Sequence, residues 1–124
     1  MAIITDVRSI SIDVSDQDRA LAFFTDKLGF EKRLDAATSA TTRWIEVAPP
    51  GASTAIALNA TDDAHDVGTD TGIRFTALDA SAARALMADA GVAVGELLQW
   101  PDVPPMFAFE DPDGNRFYMV EDRS

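Results

Sequence analysis

The chain has 124 residues, 47% of them hydrophobic, a size and composition typical of one compact globular domain with a sizeable core. Its formal net charge of −11 repels nucleic acid and anionic membranes and raises the local concentration of cationic small molecules. Cysteine is absent, which excludes disulfides and thiolate metal sites and makes the cytoplasm the expected location. No apolar run approaches the roughly 20 residues of a membrane-spanning helix, and we expect no signal peptide before the first strand.

The first half of the chain has the pattern of one helix among four strands. Ser15 offers an N-cap oxygen to the predicted helix, and Gly29 is a natural residue for its C-terminal end. Alternating or continuous apolar patterns predict strands over residues 7–14, 30–34, 42–47 and 53–59. Residues 5–59 are therefore predicted to form a βαβββ module.

A polar, acidic and aperiodic segment, residues 60–71, is predicted to be a linker. It contains His65, the only histidine, which we interpret as a surface loop residue because no co-ligands accompany it.

The second half, residues 72–122, repeats the order of the first and is predicted to be a second βαβββ module. Asp79 or Ser81 can cap its helix, and Ala82, Leu86, Met87 and Ala90 are spaced for one buried face. Extended segments are predicted over residues 72–77, 92–98, 107–109 and 116–120. Neither module could bury both faces of a four-stranded sheet alone, so we expect the two to pack together as a single domain, 1–124.

The last two strands are joined by the turn Asp111-Pro112-Asp113-Gly114-Asn115, which predicts a hairpin. Alternate side chains of a strand share a face. Phe117 and Met119 therefore point one way, while Arg116, Tyr118 and Val120 point the other.

The segment from Val14 to Phe30, which includes Ser15-Asp16 and Leu28-Gly29, and the turn over residues 111–115 resemble the vicinal oxygen chelate superfamily. Its members include glyoxalase I, extradiol dioxygenases, and fosfomycin- and bleomycin-resistance proteins. The resemblance covers essentially the whole chain. It implies an α+β fold in which two βαβββ modules form curled mixed sheets around a cavity, in a homodimer. Such a fold does not fix the function.

Enzymes of this superfamily hold a divalent metal on side chains that point from the strands into the cavity. The resemblance places the four ligand positions on Ser9, Ala57, Gly72 and Tyr118. None of these is a usual ligand for Zn²⁺ or Mn²⁺. We therefore expect no metal and no other cofactor.

Three carboxylates leave enzymatic alternatives open. A metal site could be rebuilt from Asp13, Glu46 and Glu110. Such a site would be needed by a glyoxalase-like lyase or isomerase, or by a dioxygenase, that acts on a small metabolite. One of the three carboxylates could also serve as a general base in a metal-independent enzyme.

By strand alternation, the face opposite the core is expected to combine small side chains with aromatic and polar ones, and Trp100 is expected to overhang it from a proline-rich loop. The predicted ligand-contacting residues are Ser9, Ser11, Trp44, Glu46, Ala57, Arg74, Trp100, Met106, Ala108 and Tyr118.

This lining and the acidic charge favour a large aromatic or cationic guest. The sequence thus predicts a homodimer that binds and sequesters a bulky natural-product antibiotic without catalysis, and that has no nucleic-acid or membrane partner.

Overall fold

The computed structural model describes residues 2–122 and has an α+β architecture with two four-stranded mixed sheets. The chain divides between Val67 and Gly68 into two compact units. The first unit contains β1 (Ser9–Val14), α1 (Gln17–Ala22), a π-helix (Phe23–Lys27), β2 (Glu31–Ala37), β3 (Arg43–Ala48) and β4 (Ala55–Ala60). The second contains β5 (Asp70–Ala77), α2 (Ala80–Asp89), β6 (Ala93–Val94), β7 (Met106–Glu110) and β8 (Arg116–Glu121).

Both sheets have the same topology. The strand orders are β1-β4-β3-β2 and β5-β8-β7-β6. The pairs β1–β4 and β5–β8 are parallel, and the other neighbouring strands are antiparallel. The predicted pair of βαβββ modules is therefore confirmed. Strands β4 and β5 extend into the predicted linker, since Ala60 still belongs to β4 and Asp70 begins β5. That the two modules make a single domain stays a prediction.

The first helix begins one residue later than the sequence indicates. Asp16 is the N-cap, and its side chain accepts a hydrogen bond from the Arg19 backbone N–H at 3.0 Å. Ser15 instead accepts from the Arg19 guanidinium at 2.9 Å. The prediction of Ser15 as the cap was wrong because either side-chain oxygen can cap a helix, and only the backbone path decides between neighbours.

The second helix packs on a different face from the predicted one. Asp79 caps it, as expected, and Ala80 and Met87 are its buried residues. Leu86, which was assigned to the buried face, is 71% exposed. Neighbouring helical residues point about 100° apart, so the apolar pair Leu86 and Met87 does not by itself say which of the two faces the core.

The extended segment predicted over residues 92–98 is mostly not a strand. Regular pairing covers only Ala93 and Val94, after which the Gly95 N–H donates to the Ala108 carbonyl at 2.7 Å and Leu98 forms one isolated bridge with Met106. Glycine weakens a strand interior because it has no side chain to pack, and β6 loses its regular pairing there.

A layer of phenylalanine rings forms the core of the second unit. Phe107, Phe109 and Phe117 are fully buried, and the rings of Phe109 and Phe117 stack with centroids 5.5 Å apart. Phe75 on β5 lies 5.9 Å from the Phe117 ring. These side chains share one face of the sheet, which leaves Ala108 and Tyr118 on the other, as alternation predicts.

The turn between β7 and β8 contains a buried polar network. Asp111 accepts hydrogen bonds from the backbone N–H of Asp113 and of Asn115 and from the Asn115 side-chain amide, at 2.8–3.0 Å. The side-chain oxygen of Asn115, Oδ1, accepts from the backbone N–H groups of Gly68 and Thr69, at 2.9 and 3.2 Å. Asn115 therefore ties the hairpin turn to the chain that enters β5. Burial raises the pKa of the Asp111 carboxyl, against the lowering effect of the Asn115 hydrogen bonds.

No helix within residues 2–122 is long and apolar enough to cross a membrane.

Replacing Asn115 by alanine should destabilise the protein by about 2–4 kcal/mol, because two backbone donors lose their partner and the buried Asp111 carboxylate loses one of its three hydrogen bonds. Urea unfolding monitored by circular dichroism measures this change. The matched control is Asn59→Ala, which removes an exposed hydrogen bond to Asp13 and should cost less than about 1 kcal/mol. Equal losses in the two variants would show that the buried network adds nothing.

Candidate functional site

In the first unit, the predicted site residues share the face that the register assigns to them. Ser11 pairs with Ala57 across β1 and β4, and Ala57 pairs with Glu46 across β4 and β3. Ser9 lies on the same face, two residues before Ser11, and Trp44 lies two residues before Glu46. The structure therefore brings these five residues together on one side of the first sheet.

Trp44 holds the carboxylate of Glu46. The indole Nε1–H donates to Glu46 Oε2 at 2.7 Å, and Arg8 Nε lies 3.4 Å from the same oxygen. Glu46 is only 4% exposed and Ala57 only 2%, whereas Trp44 is 39% exposed. The indole ring of Trp44 is therefore accessible at this face, whereas Glu46 and Ala57 are not.

In the second unit, Tyr118 lies between an aspartate and an arginine. Its hydroxyl donates to Asp70 Oδ2 at 2.6 Å, and the guanidinium carbon of Arg74 lies 4.7 Å from the ring centroid. Arg74 pairs with Tyr118 across β5 and β8, and Ala108 pairs with Tyr118 across β7 and β8. Met106, two residues before Ala108, shares this face. Four of the predicted residues are thus brought together here.

Asp70 lies in the segment predicted to be a linker and was not expected at the site. A register shift between Asp70 and Arg74 makes a bulge in β5, in which Gly72 has φ 70°. The Gly72 N–H donates to Asp70 Oδ1 at 3.0 Å, and this bond holds the carboxylate beside Tyr118. Glycine at this strand position was the available signal, because glycine with positive φ is typical of a bulge.

The hydrogen bond between Tyr118 and Asp70 changes the acidity of both groups. It lowers the pKa of the Asp70 carboxyl, and it raises the pKa of the Tyr118 hydroxyl because a phenolate there would face a carboxylate. The contribution of Asp70 to stability is present above its unfolded pKa of about 3.9 and is lost as the pH falls through the lowered folded value.

The four positions that carry the metal in the superfamily do not fit a divalent ion. Ser9 and Ala57 offer at most a hydroxyl, Gly72 offers no side chain, and the Tyr118 hydroxyl is bonded to Asp70. Throughout residues 2–122, no three His, Asp or Glu side chains are grouped as a metal site requires. Of the alternative carboxylates, Asp13 accepts from Asn59 at 2.8 Å and Glu46 is held by Trp44.

Trp100 borders a surface pocket of about 480 Å³ in the loop between β6 and β7. The pocket is lined by Gln99, Trp100, Asp102, Val103, Pro104 and Pro105. Trp100 is 54% exposed, and Asp102 holds a positive φ of 68°, which is uncommon for a residue other than glycine. The loop therefore presents an indole ring and a carboxylate at one pocket.

A model of the Glyoxalase/Bleomycin resistance protein/Dioxygenase superfamily matches residues 7–119. The chain belongs to this superfamily. A superfamily member from Sphaerobacter thermophilus DSM 20745 is 36% identical, with a TM-score of 0.89 over 98% of this chain and 100% of that one.

Two further relatives come from other bacteria. TnmS3, an antibiotic binding protein from Streptomyces sp. CB03234, is 30% identical, with a TM-score of 0.85 over 98% of each chain. The uncharacterized protein YetH of Bacillus subtilis (strain 168) is 30% identical over 95% of this chain and 99% of its own length. Membership of the superfamily is thus established. The solved structures that are similar to this chain include an antibiotic binding protein.

The titration of Tyr118 tests the hydrogen bond in the second unit. Tyr118 is the only tyrosine, so phenolate absorbance reports on this residue alone. We expect a midpoint above pH 10, and Asp70→Asn should lower it because the neighbouring negative charge is removed. Asp62→Asn, which makes the same change of net charge in the exposed loop of the first unit, should leave it in place. A wild-type midpoint at or below 10 would contradict this geometry.

Proposed function

We propose that this protein binds and sequesters a bulky aromatic or cationic natural-product antibiotic without transforming it. The observation that carries the proposal is the exposed Trp100 at a pocket of about 480 Å³, in a loop that also contains Asp102. A half-exposed indole offers a flat surface for stacking, and a nearby carboxylate favours a positively charged guest. Similarity to an antibiotic binding protein supports the same class of ligand.

The sheet faces that carry Trp44 and Tyr118 supply further contacts in this proposal. Trp44 adds a second partly exposed indole in the first unit, with Ser9 and Ser11 on the same face. In the second unit, Arg74, Met106, Ala108 and Tyr118 would contact the ligand. Stacked rings and displaced water can supply the roughly 12 kcal/mol of nanomolar binding without any covalent step.

The chemistry of the ligand positions favours binding over the enzymatic alternatives. A glyoxalase-like lyase or isomerase or a dioxygenase needs several converging donors, and Ser9, Ala57, Gly72 and Tyr118 do not supply them. A general base needs a carboxylate within reach of the substrate; Glu46 is buried and hydrogen-bonded to Trp44, and Asp13 accepts from Asn59, so this alternative would depend on Glu110. Sequestration needs neither.

The proposal includes a homodimer and a cytoplasmic location. The homodimer follows from the usual assembly of the superfamily, and the location follows from the absence of cysteine.

Titration with bleomycin, mitomycin or an enediyne, monitored by intrinsic tryptophan fluorescence, tests this function. An aromatic drug stacked on an indole should quench the tryptophan emission. The quenching should saturate at a fixed ratio of drug to protein. Calorimetry should then show that Trp100→Ala weakens binding by about 1–3 kcal/mol.

Leu86→Ala is the matched control, because it removes an exposed apolar side chain of the same unit on α2 and should leave the affinity unchanged. Absence of saturable binding for all three drug classes would contradict sequestration. Unchanged affinity in Trp100→Ala would remove Trp100 from the site.

A further inference from the structure

A second pocket of about 210 Å³ lies in the second unit, between β6 and β7. It is separate from the Trp100 pocket and shares no lining residue with it. Ala93, Val94 and Gly95 line one side, and Ala108, Phe109, Glu110 and Arg116 line the other. Of these seven residues, Ala108 was expected to contact a ligand, and Glu110 was considered only for the enzymatic alternatives.

The register places this pocket on the open face of the sheet. Ala93 pairs with Glu110, Glu110 pairs with Arg116, and the Gly95 N–H donates to the Ala108 carbonyl. Cross-strand partners share a face, so Ala93, Glu110 and Arg116 lie with Ala108 on the side opposite the buried phenylalanines. Val94 instead pairs with Phe109, on the phenylalanine side. The pocket exists because alanine or glycine occupies three neighbouring positions there, at residues 93, 95 and 108.

The backbone around the pocket is held from both sides. Gly95 donates its N–H to Ala108 at 2.7 Å, and its carbonyl accepts a hydrogen bond from Arg84 Nε of α2, also at 2.7 Å. A strand end with both groups bonded keeps its shape when a ligand arrives, which is typical of a preformed small-molecule site. A Cβ built on Gly95 would lie 3.4 Å from the Ala108 carbonyl oxygen and would project into the pocket wall.

A charged pair borders the pocket. Arg116 Nη2 lies 4.0 Å from Glu110 Oε1, a separation too long for a direct hydrogen bond. A hydroxyl group placed between them can donate to the carboxylate and accept from the guanidinium at once, because a hydroxyl is both donor and acceptor. The remaining walls are mostly apolar and offer little to a second polar group.

From this geometry we infer that the pocket between β6 and β7 is a subsite for a single phenol-like ring. A cavity of roughly 150 Å³ can hold benzene, so this volume accepts a six-membered ring with a small substituent. A sugar ring fits the walls less well, because several of its hydroxyls would lie unpaired against alanine and glycine. The inference rests on the proposed function and specifies one chemical group of the guest: a ring hydroxyl directed at Glu110 and Arg116.

Phenol and anisole, used as isolated fragments, test the subsite in solution. Two-dimensional ¹H–¹⁵N NMR should show saturable shifts at Ala93, Val94, Gly95 and Ala108 with phenol, with a dissociation constant on the order of millimolar. Anisole has the ring but no donor, and it should bind several-fold more weakly. Shifts confined to the indole of Trp100 would overturn the assignment, and so would equal affinity for the two fragments.

Variants distinguish the contribution of the pocket walls to phenol binding from that of the charged pair, Glu110 and Arg116. Ala108→Val adds two methyl groups to the pocket and should weaken phenol binding at least tenfold. Ala37→Val makes the same change at an exposed position of β2 in the first unit and should have no effect. Glu110→Gln should weaken phenol several-fold and leave anisole unchanged, because only the hydroxyl donates to the carboxylate. If Ala108→Val binds phenol as the wild type does, the pocket is not the site.

The fragment experiment is independent of the antibiotic titration. Quenching by a drug without phenol binding in the pocket would overturn the subsite and leave sequestration standing. Phenol binding in the pocket without affinity for any of the drugs would overturn sequestration and leave the subsite standing.

Discussion

Burial of the phenylalanine face of the second sheet is the constraint on which the rest of that unit depends. In the second unit, Phe107, Phe109 and Phe117 pack into a closed aromatic layer, and a one-residue slip of either strand would expose those rings. The register of β7 against β8 is therefore fixed by the core. The same register determines which residues are neighbours on the opposite face. Ala108 therefore lies beside Tyr118, and Glu110 lies beside Arg116.

Hydrogen bonds hold side chains at or beside the positions on which the resemblance places the metal ligands. Tyr118 donates to Asp70, and a bulge at Gly72 keeps the aspartate in position. In the first unit, Glu46 is buried and accepts from Trp44. These hydrogen bonds fix the positions of the Asp70 and Glu46 carboxylates in their sheets.

Much of this arrangement could be predicted from the sequence, and the failures have identifiable physical causes. The strands of the two modules and the hairpin turn at residues 111–115 could be predicted, because alternation with a period of two and a cluster of turn-forming residues depend only on the local sequence. The face shared by Ala108 and Tyr118 follows from the same period. The buried side of α2 could not be predicted, since Leu86 and Met87 are equally apolar and only packing selects Met87.

The site residues that were missed depend on contacts distant in sequence. Asp70 appeared to belong to an acidic linker, and its role depends on a bulge that brings it to a tyrosine 48 residues away. The pocket beside Gly95 depends on the early end of β6 and on Arg84 of α2, which accounts for its absence from any periodic pattern. Both were marked in the sequence only by a glycine within an extended segment.

The central claim is that the superfamily's ligand positions no longer hold a cation and that the faces around them accept an organic guest. Isothermal titration of the metal-free protein with Zn²⁺ and Mn²⁺, accompanied by elemental analysis of the protein as purified, tests it most directly. The account predicts no stoichiometric metal after purification and no saturable heat at micromolar ion. One tightly bound ion per chain, lost on replacing Asp70, Glu46 or Glu110 with the corresponding amide, would contradict it.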